Sequence, residues 1–395
     1  LLERTKTKKA IASLVASRII YATNWLNIGA IFVLMEATLN VGIVGLGTLT
    51  SSFYLGLGLT QVPAGILAAE LGPKKVVVAG IMLSSLTTLG ISASKQLIEV
   101  AVLRFVVGAG MACVFAPAVV LVAKYFGGNR SGVGVGVYNS AFDIGGLLGL
   151  YVWVIIASAA GWQSSLLLSG GLGVITGVLV AYYVPDDSTS LEFKIRLTTL
   201  WSILKDRQLV LLGLGTLGLN IGNILISSFM VYYLNKSLGV PLPTAGLVAA
   251  MIVVVPIVTA LWGGRLYDRI GKPRLLTLLS GLGMVVALLL TSIPSLAVAV
   301  VSSVIGGAVT GIGFTASFAW ARDLNTAEQQ YDGLAIAWVN GISLTGAFVP
   351  PLVFSRIVGG WGYSAAWLAG AAMCLALTAS LLFQEEGIPA RAARA

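Results

Sequence analysis

Apolar runs long enough to cross a bilayer follow one another along the chain with short polar links between them. They occupy 10–35, 42–68, 75–93, 98–125, 132–159, 163–184, 208–235, 241–264, 274–293, 296–321, 333–357 and 363–384. About 20 apolar residues span the hydrocarbon core as a helix, whereas a membrane barrel would read as alternating segments of about 10. The pattern therefore predicts an all-α integral membrane fold with twelve transmembrane helices. The Leu1–Lys9 segment is basic and polar, and the run behind it is too long for a signal-peptide core, so a retained first helix is expected. The long polar stretch, Pro185 to Arg207, divides the chain. It predicts a six-helix bundle over 1–184, a cytoplasmic linker over 185–207, and a second six-helix bundle with a short cytoplasmic tail over 208–395.

The two halves repeat each other. Gly65-Ile-Leu-Ala-Ala-Glu-Leu-Gly72 corresponds to Gly264-Arg-Leu-Tyr-Asp-Arg-Ile-Gly271, 199 positions on, and Gly161-Trp162 matches Gly360-Trp361 at the same spacing. Asn139 pairs with Asn340 two residues further out, and Leu26-Asn27-Ile28-Gly29 pairs with Leu219-Asn220-Ile221-Gly222. A duplicated six-helix unit is a signature of transporter architecture.

Composition sharpens this picture by exclusion. Hydrophobic residues make up 57%, charged residues 10%, and mean hydropathy is +0.95; a soluble domain carries about 25% charge. The 48 glycines are scattered through apolar runs, where small residues let helices approach. The absence of histidine removes histidine metal sites, Ser-His-Asp triads and histidine proton relays, so no enzyme, metal or cofactor is expected. Cys113 and Cys374 read as small buried hydrophobes. With the N-terminus placed inside, 19 of the 24 basic residues fall on the cytoplasmic side, against Lys95, Lys236 and Arg356 outside. The positive-inside rule then puts both termini in the cytoplasm and the chain in the cytoplasmic membrane. The +9 net charge is an insertion signal for a lipid-embedded protein and implies no nucleic-acid partner.

The link between the eighth and ninth spans reads Gly264-x-x-x-Asp268-Arg269-x-Gly271-Lys272-Pro273-Arg274. Its glycines permit a tight turn, and its Asp and basic residues can bond a neighbouring helix end or facing acids; the basics serve topology as well. This motif, the twelve spans and the central linker resemble the major facilitator superfamily, whose conserved loop has that form in both halves. The first copy keeps Gly65, Gly72, Lys74 and Lys75 but has Ala69 at the Asp position and Glu70 at the Arg position. The resemblance implies alternating access between two halves, with these loops as gates.

Two further segments bear on chemistry. Arg104-x-x-x-Gly108-x-Gly110-Met111-Ala112 is similar to the superfamily's fourth-helix motif, associated with proton transfer in antiporters. An arginine at that depth faces a cavity or pairs with an acid. The fifth-helix antiporter motif is half present: Gly145-Gly146 fit, but Ala141-Phe142 replace its Gly-Pro, so its kink and tight packing are expected to be missing. That helix carries Asp143, the acid deep in the bilayer, which can exchange a coupling proton or serve as an ionised partner of Arg104 or Arg18. The run Gly132-Val-Gly134-Val-Gly136 reads as helix packing, Pro63, Pro117, Pro256 and Pro350-Pro351 as kinks, and Glu36 and Glu99 as solvated outer residues that could pair with an arginine.

Arg18, Tyr21, Asn24 and Asn27 recur at helical spacing in the first span. In the superfamily helices 1, 4, 7 and 10 line the central cavity, which adds Asn220, Asn223 and Ser227 in the seventh span and Phe314, Phe318 and Trp320 in the tenth. Arg18 could instead snorkel to the interface, and a single Asn could join helices, worth about 0.6 kcal/mol. Two intramembrane arginines against one deep acid favour an anion, which Arg can grip in bidentate fashion. Ser52-Phe53-Tyr54-Leu55-Gly56 through Gln61-Val62-Pro63-Ala64-Gly65 is similar to helix 2 of the superfamily's anion symporters, although the arginine these carry late in helix 1 is replaced by Ile28-Gly29-Ala30. The expectation is a monomeric, proton-coupled secondary transporter of a small organic anion. Arg18, Tyr21, Asn24, Arg104, Asn220 and Asn223 would bind the solute, Asp143 would couple protons, and Gly65, Glu70, Gly72, Gly264, Asp268, Arg269 and Gly271 would form the gating loops. Proton-driven efflux of amphipathic compounds is the alternative within this class. A transporter-like receptor without flux is the alternative outside it.

Overall fold

The computed structural model describes residues 2–126, 131–185, 197–325 and 331–384, with backbone alone for 2–5, 131–132 and 197–200. Arg130, Lys194, Arg196, Arg391 and Arg394, five of the basic residues expected on the cytoplasmic side, lie outside the described residues. So do most of the linker and the tail.

All regular structure among the described residues is helical. In order, the helices are α1 (Leu2–Leu39), α2 (Ile43–Leu71), α3 (Pro73–Ala93), α4 (Leu97–Ala112), α5 (Phe115–Phe126), α6 (Ser131–Leu147), α7 (Trp153–Ala160), α8 (Trp162–Tyr183), α9 (Leu197–Lys205), α10 (Arg207–Leu238), α11 (Leu242–Ile270), α12 (Pro273–Thr291), α13 (Leu296–Leu324), α14 (Asp332–Gly346) and α15 (Val349–Thr378). A π-helical turn, Leu148–Val152, joins α6 to α7. A helix is the one open-ended element that satisfies its own backbone in lipid, which is why the apolar runs are helical. Pro73 and Pro273 sit at helix starts, where the missing N–H costs nothing. Gln96 and Glu99 close a capping box at the start of α4, with Glu99 Oε2 accepting from Lys95 N at 2.9 Å. Glu99 is exposed, as a solvated outer residue was expected to be, and serves as a cap; it makes no ion pair with an arginine among the described residues.

The prolines act where their rings meet the preceding turn. Pro117 separates α4 from α5 at Cys113–Val114, four residues upstream, and Pro350-Pro351 open α15 just after the break at Ala347. The end of the eleventh span and the twelfth run together through α15 except at Gly362, whose φ of 85° only glycine adopts readily. Its counterpart is Gly161, with φ 84°. The repeat at this turn is thus Gly161 with Gly362, in register with Asn139 and Asn340, and the match of Gly161-Trp162 to Gly360-Trp361 is two residues out. Burial agrees: Trp162 is 3% exposed and Trp361 81%.

Two compact bodies make up the chain: Leu1–Phe193 with Ser227–Ala250, and Lys194–Ile226 with Met251–Ala395. The second part of α10 and the first part of α11 thus belong with the first six spans, a grouping the polar linker does not mark. In the first body α2 packs on α4, α3 on α8, and α1 on α6 and α8. In the second, α12 packs on α13 and α15. The short α9, inside the segment expected to be polar linker, is amphipathic: Ile203 is buried while Trp201 is exposed with Lys205 over its ring.

Glycine sets the closest approaches. A Cβ on Gly108 would overlap the Phe53 carbonyl oxygen of α2, and one on Gly56 would overlap that of Phe105. Overpacking of this kind costs about 1–3 kcal/mol. Gly108→Ala is therefore expected to lower the thermal midpoint of the detergent-solubilised protein clearly, a drop that differential scanning fluorimetry would read. Tight packing on α6 is also present, contrary to expectation. Gly145 lies against the Ile19 carbonyl and Gly149 against that of Thr23, so α6 seats closely on α1 without the Gly-Pro pair.

Candidate functional site

The first body gathers Arg18, Tyr21, Asn24, Arg104 and Asp143 on α1, α4 and α6, but it treats the two arginines differently. Arg104 is 3% exposed and spends both terminal nitrogens on the α1 backbone. Nη1 donates to Asn24 O at 2.9 Å and Nη2 to Trp25 O at 3.3 Å. Its guanidinium also lies over the Phe53 ring, 4.4 Å from the centroid. The close seat at Gly108 brings α2 and α4 together and so sets Phe53 beneath it. The spacing Arg-x-x-x-Gly thus ties α4 to both α1 and α2.

Arg18 is 7% exposed and enclosed by rings. Its Cζ lies 4.4 Å from the ring centroid of Tyr21, 4.5 Å from Phe115, 4.7 Å from Phe142 and 5.2 Å from Tyr138. Nε and Nη1 are buried and have no hydrogen-bond partner among the described residues. Cation–π contacts stabilise the charge by about 0.5–2 kcal/mol each without occupying its in-plane donors. The side chain stays in the helix cluster and does not snorkel. Asp143, one residue beyond Phe142, is part-exposed, and it makes no ion pair with any described residue.

The amides of α1 are turned inward. Asn24 and Asn27 are 2% and 1% exposed, and Asn27 Nδ2 donates at long range to Asn24 Oδ1, 3.4 Å, and Ser169 Oγ, 3.5 Å. Aromatic rings continue the cluster: Trp25 stands edge-on to Phe142 (5.7 Å), Phe53 (5.1 Å) and Tyr54 (5.8 Å), and its indole N–H donates to the Tyr54 hydroxyl at 3.1 Å. Ile28, Gly29 and Ala30 are sealed. A Cβ on Gly29 would come 2.7 Å from Ser228 O, which leaves no room there for an arginine.

At the far end of α1, Glu36 accepts from the Tyr232 hydroxyl at 2.7 Å and pairs with Lys236. Glu36 was expected to be solvated or to meet an arginine; its partners are a tyrosine and a lysine of α10.

In the second body Asn220 Nδ2 donates to Ser343 Oγ on α14 at 3.1 Å, which ties two helices together. Asn223 is part-exposed and has no hydrogen-bond partner among the described residues. Phe314 and Phe318 stack at 5.8 Å, and Trp320 is buried. In the loop motif Gly271 takes a φ of 62°, while Asp268 and Arg269 are exposed without a described partner. In the first copy Gly72 has φ 90°, and Gly65 and Glu70 are exposed. The anchored acid is Asp323 at the end of α13. It accepts from Tyr267 OH at 2.7 Å and Arg322 Nε at 3.0 Å. Its sequence signal was the adjacent Arg322-Asp323 pair closing the tenth apolar run. Tyr267→Phe, losing one hydrogen bond to a carboxylate, is expected to cost about 1.5–3 kcal/mol. Asp268→Asn should leave the thermal midpoint unchanged in the same scan.

Comparison with known proteins places this geometry. The sequence model of the Major Facilitator Superfamily matches residues 14–220 and 212–394. Among relatives, an uncharacterized MFS-type transporter of Methanocaldococcus jannaschii is 24% identical over 62% of this chain and 65% of its own length. The 4-hydroxybenzoate transporter PcaK of Pseudomonas aeruginosa is 27% identical over 38% of this chain and 34% of its own. The probable galactarate/D-glucarate transporter GudP of Escherichia coli is 22% identical over 81% and 80%. The chain thus spans between about a quarter and two thirds of the length of the first relatives it matches. A crystal structure of the nucleoside transporter NupG (D323A mutant) superposes with a TM-score of 0.78, at 13% identity, over 96% of this chain and 99% of that one. With the family model covering nearly the whole sequence and the helical architecture in agreement, this chain belongs to the Major Facilitator Superfamily and has its multi-pass membrane fold.

Proposed function

We propose that the protein moves a small organic anion, carboxylate-like and coupled to protons, across the cytoplasmic membrane. It acts as a monomer with both termini inside, and its halves 1–184 and 208–395 work as gates on either side of the 185–207 linker. One observation carries the reading: Arg18 is a buried cation with unspent donors and no acid paired to it. A buried charge without a counter-charge is costly, and an anionic solute supplies the missing partner. Tyr21 and Asn24 shape the surroundings, Asp143 takes and releases the coupling proton, and Asn223 offers an unspent amide. Arg104 and Asn220, committed to helix contacts, act as positioning residues. The loop residues Gly65, Glu70, Gly72, Gly264, Asp268, Arg269 and Gly271 serve the cytoplasmic gate. The names of two similar proteins, a 4-hydroxybenzoate transporter and a galactarate/D-glucarate transporter, both refer to carboxylates.

Efflux of amphipathic compounds draws support from the ring cluster on α1, α2 and α6 but requires Arg104 to be paired with an acid; its terminal nitrogens go to carbonyls instead. A thermal-shift screen separates the two readings. A ligand at 100 times its dissociation constant stabilises by about 2.7 kcal/mol. Stabilisation by mono- or dicarboxylates is expected. A response confined to lipophilic cations and neutral compounds would overturn the anion reading.

A further inference from the structure

We infer that the Arg18 site is built for an aromatic monocarboxylate, a planar ring with one charged end, in preference to a polyhydroxylated acid. The inference deepens the anion reading above and rests on it. Four rings wall the guanidinium at 4.4–5.2 Å from Cζ, and its Nε and Nη1 are buried without a partner among the described residues. Of those rings Tyr21 and Tyr138 are buried, whereas Phe115 and Phe142 keep part of their surface exposed, as does Trp25 beside them. The hydroxyl of Tyr138 is also buried with no hydrogen-bond partner among the described residues. A carboxylate has two oxygens, and the cluster holds a charged donor and a phenol that lack acceptors.

The same neighbourhood offers little to a chain of hydroxyls. Asn24 and Asn27 are sealed, the Thr23 hydroxyl donates to Gly145 O at 3.1 Å, and the Tyr54 hydroxyl accepts from Trp25. Asp143 and, one turn before it on α6, the exposed Asn139 are the accessible polar side chains beside these rings. A polyol brought here would lose hydration at hydroxyls that find no partner. A flat ring would instead meet Trp25, Phe115 and Phe142 in the edge and offset geometries that aromatic pairs prefer.

Calorimetric titration of the detergent-purified full chain with benzoate, cyclohexanecarboxylate and gluconate tests this. Benzoate and cyclohexanecarboxylate share size and charge and differ in the π system. The expected result is benzoate binding about five- to tenfold more tightly than cyclohexanecarboxylate, with gluconate weaker than both. Phe142→Leu, which removes one of the rings the ligand would meet, should weaken benzoate more than cyclohexanecarboxylate and so narrow the ratio between them. Should that variant not fold, the wild-type ratio alone decides. Gluconate binding as tightly as benzoate, or no difference between benzoate and cyclohexanecarboxylate, would overturn the aromatic inference. The anion reading would survive in that case if Arg18→Gln still removed binding. Anion binding that Arg18→Gln leaves intact would overturn both.

Discussion

Arg18→Gln is expected to weaken carboxylate binding by at least about 30-fold while changing the stability of the ligand-free protein little. The two halves of that expectation have one cause. Removing one partner of a buried, hydrogen-bonded charge pair costs about 2–5 kcal/mol in binding, and 2 kcal/mol is about 30-fold. Without ligand, however, Arg18 has Nε and Nη1 buried and unpartnered, so the cost of desolvating its charge offsets much of what the surrounding ring faces supply. Arg104 makes the contrast. Arg104→Gln gives up two hydrogen bonds to α1 carbonyls and the stack on Phe53, so its ligand-free midpoint should fall. Calorimetric affinity and the midpoint, measured on both variants, check this. A destabilised Arg18→Gln with unchanged affinity would make Arg18 a packing residue. Arg18→Lys should lie in between, because an ammonium keeps the charge and loses the planar stack and the fork.

Asp143→Asn is expected to abolish proton-driven accumulation and to spare solute exchange. If one proton accompanies each solute, one pH unit supplies 1.36 kcal/mol, which is about tenfold accumulation. The carboxyl that carries that proton has to be reachable and free of a permanent partner, and Asp143 is part-exposed with no ion pair among the described residues. Asparagine keeps the shape and cannot change charge. Exchange of labelled for unlabelled solute at equal pH needs no net proton movement and should persist. Accumulation that survives the substitution would move the coupling role elsewhere.

Much of this architecture was legible in the sequence because lipid leaves the backbone few choices. The spans, the breaks at Pro117 and Pro350-Pro351 and the glycine turns of the repeated loop follow from run length, proline chemistry and positive φ. Less visible were features set by tertiary neighbours. The sequence match at Gly360-Trp361 was persuasive, yet the turn itself sits at Gly362. The missing Gly-Pro in the fifth span suggested loose packing, but Gly145 and Gly149, one helical turn apart, supply the contact. The polar content of the linker masked Leu197–Lys205, whose Leu, Trp and Ile spacing is amphipathic.

The candidate site divided along the same line. Residue type pointed to Arg18, Arg104 and Asp143, since a charge in an apolar run demands a reason. What each arginine does depends on its neighbours. The rings around Arg18 come from α1, α5 and α6, the latter two about a hundred positions along the chain from Arg18. The carbonyls that hold Arg104 belong to α1, and backbone acceptors carry no sequence signature. Glu36 found Tyr232 and Lys236 on α10, nearly two hundred residues away.

Net solute flux tests the central claim most directly. Purified protein in liposomes would be given an inward proton gradient and either labelled benzenesulfonate or labelled gluconate. Both stay ionised near neutral pH and neither leaks as a neutral acid. Wild-type protein is expected to accumulate the aromatic anion several-fold, Asp143→Asn to exchange it without accumulation, and Arg18→Gln to match protein-free liposomes. Uptake by Arg18→Gln equal to wild type, or no wild-type uptake of either anion, would contradict the account.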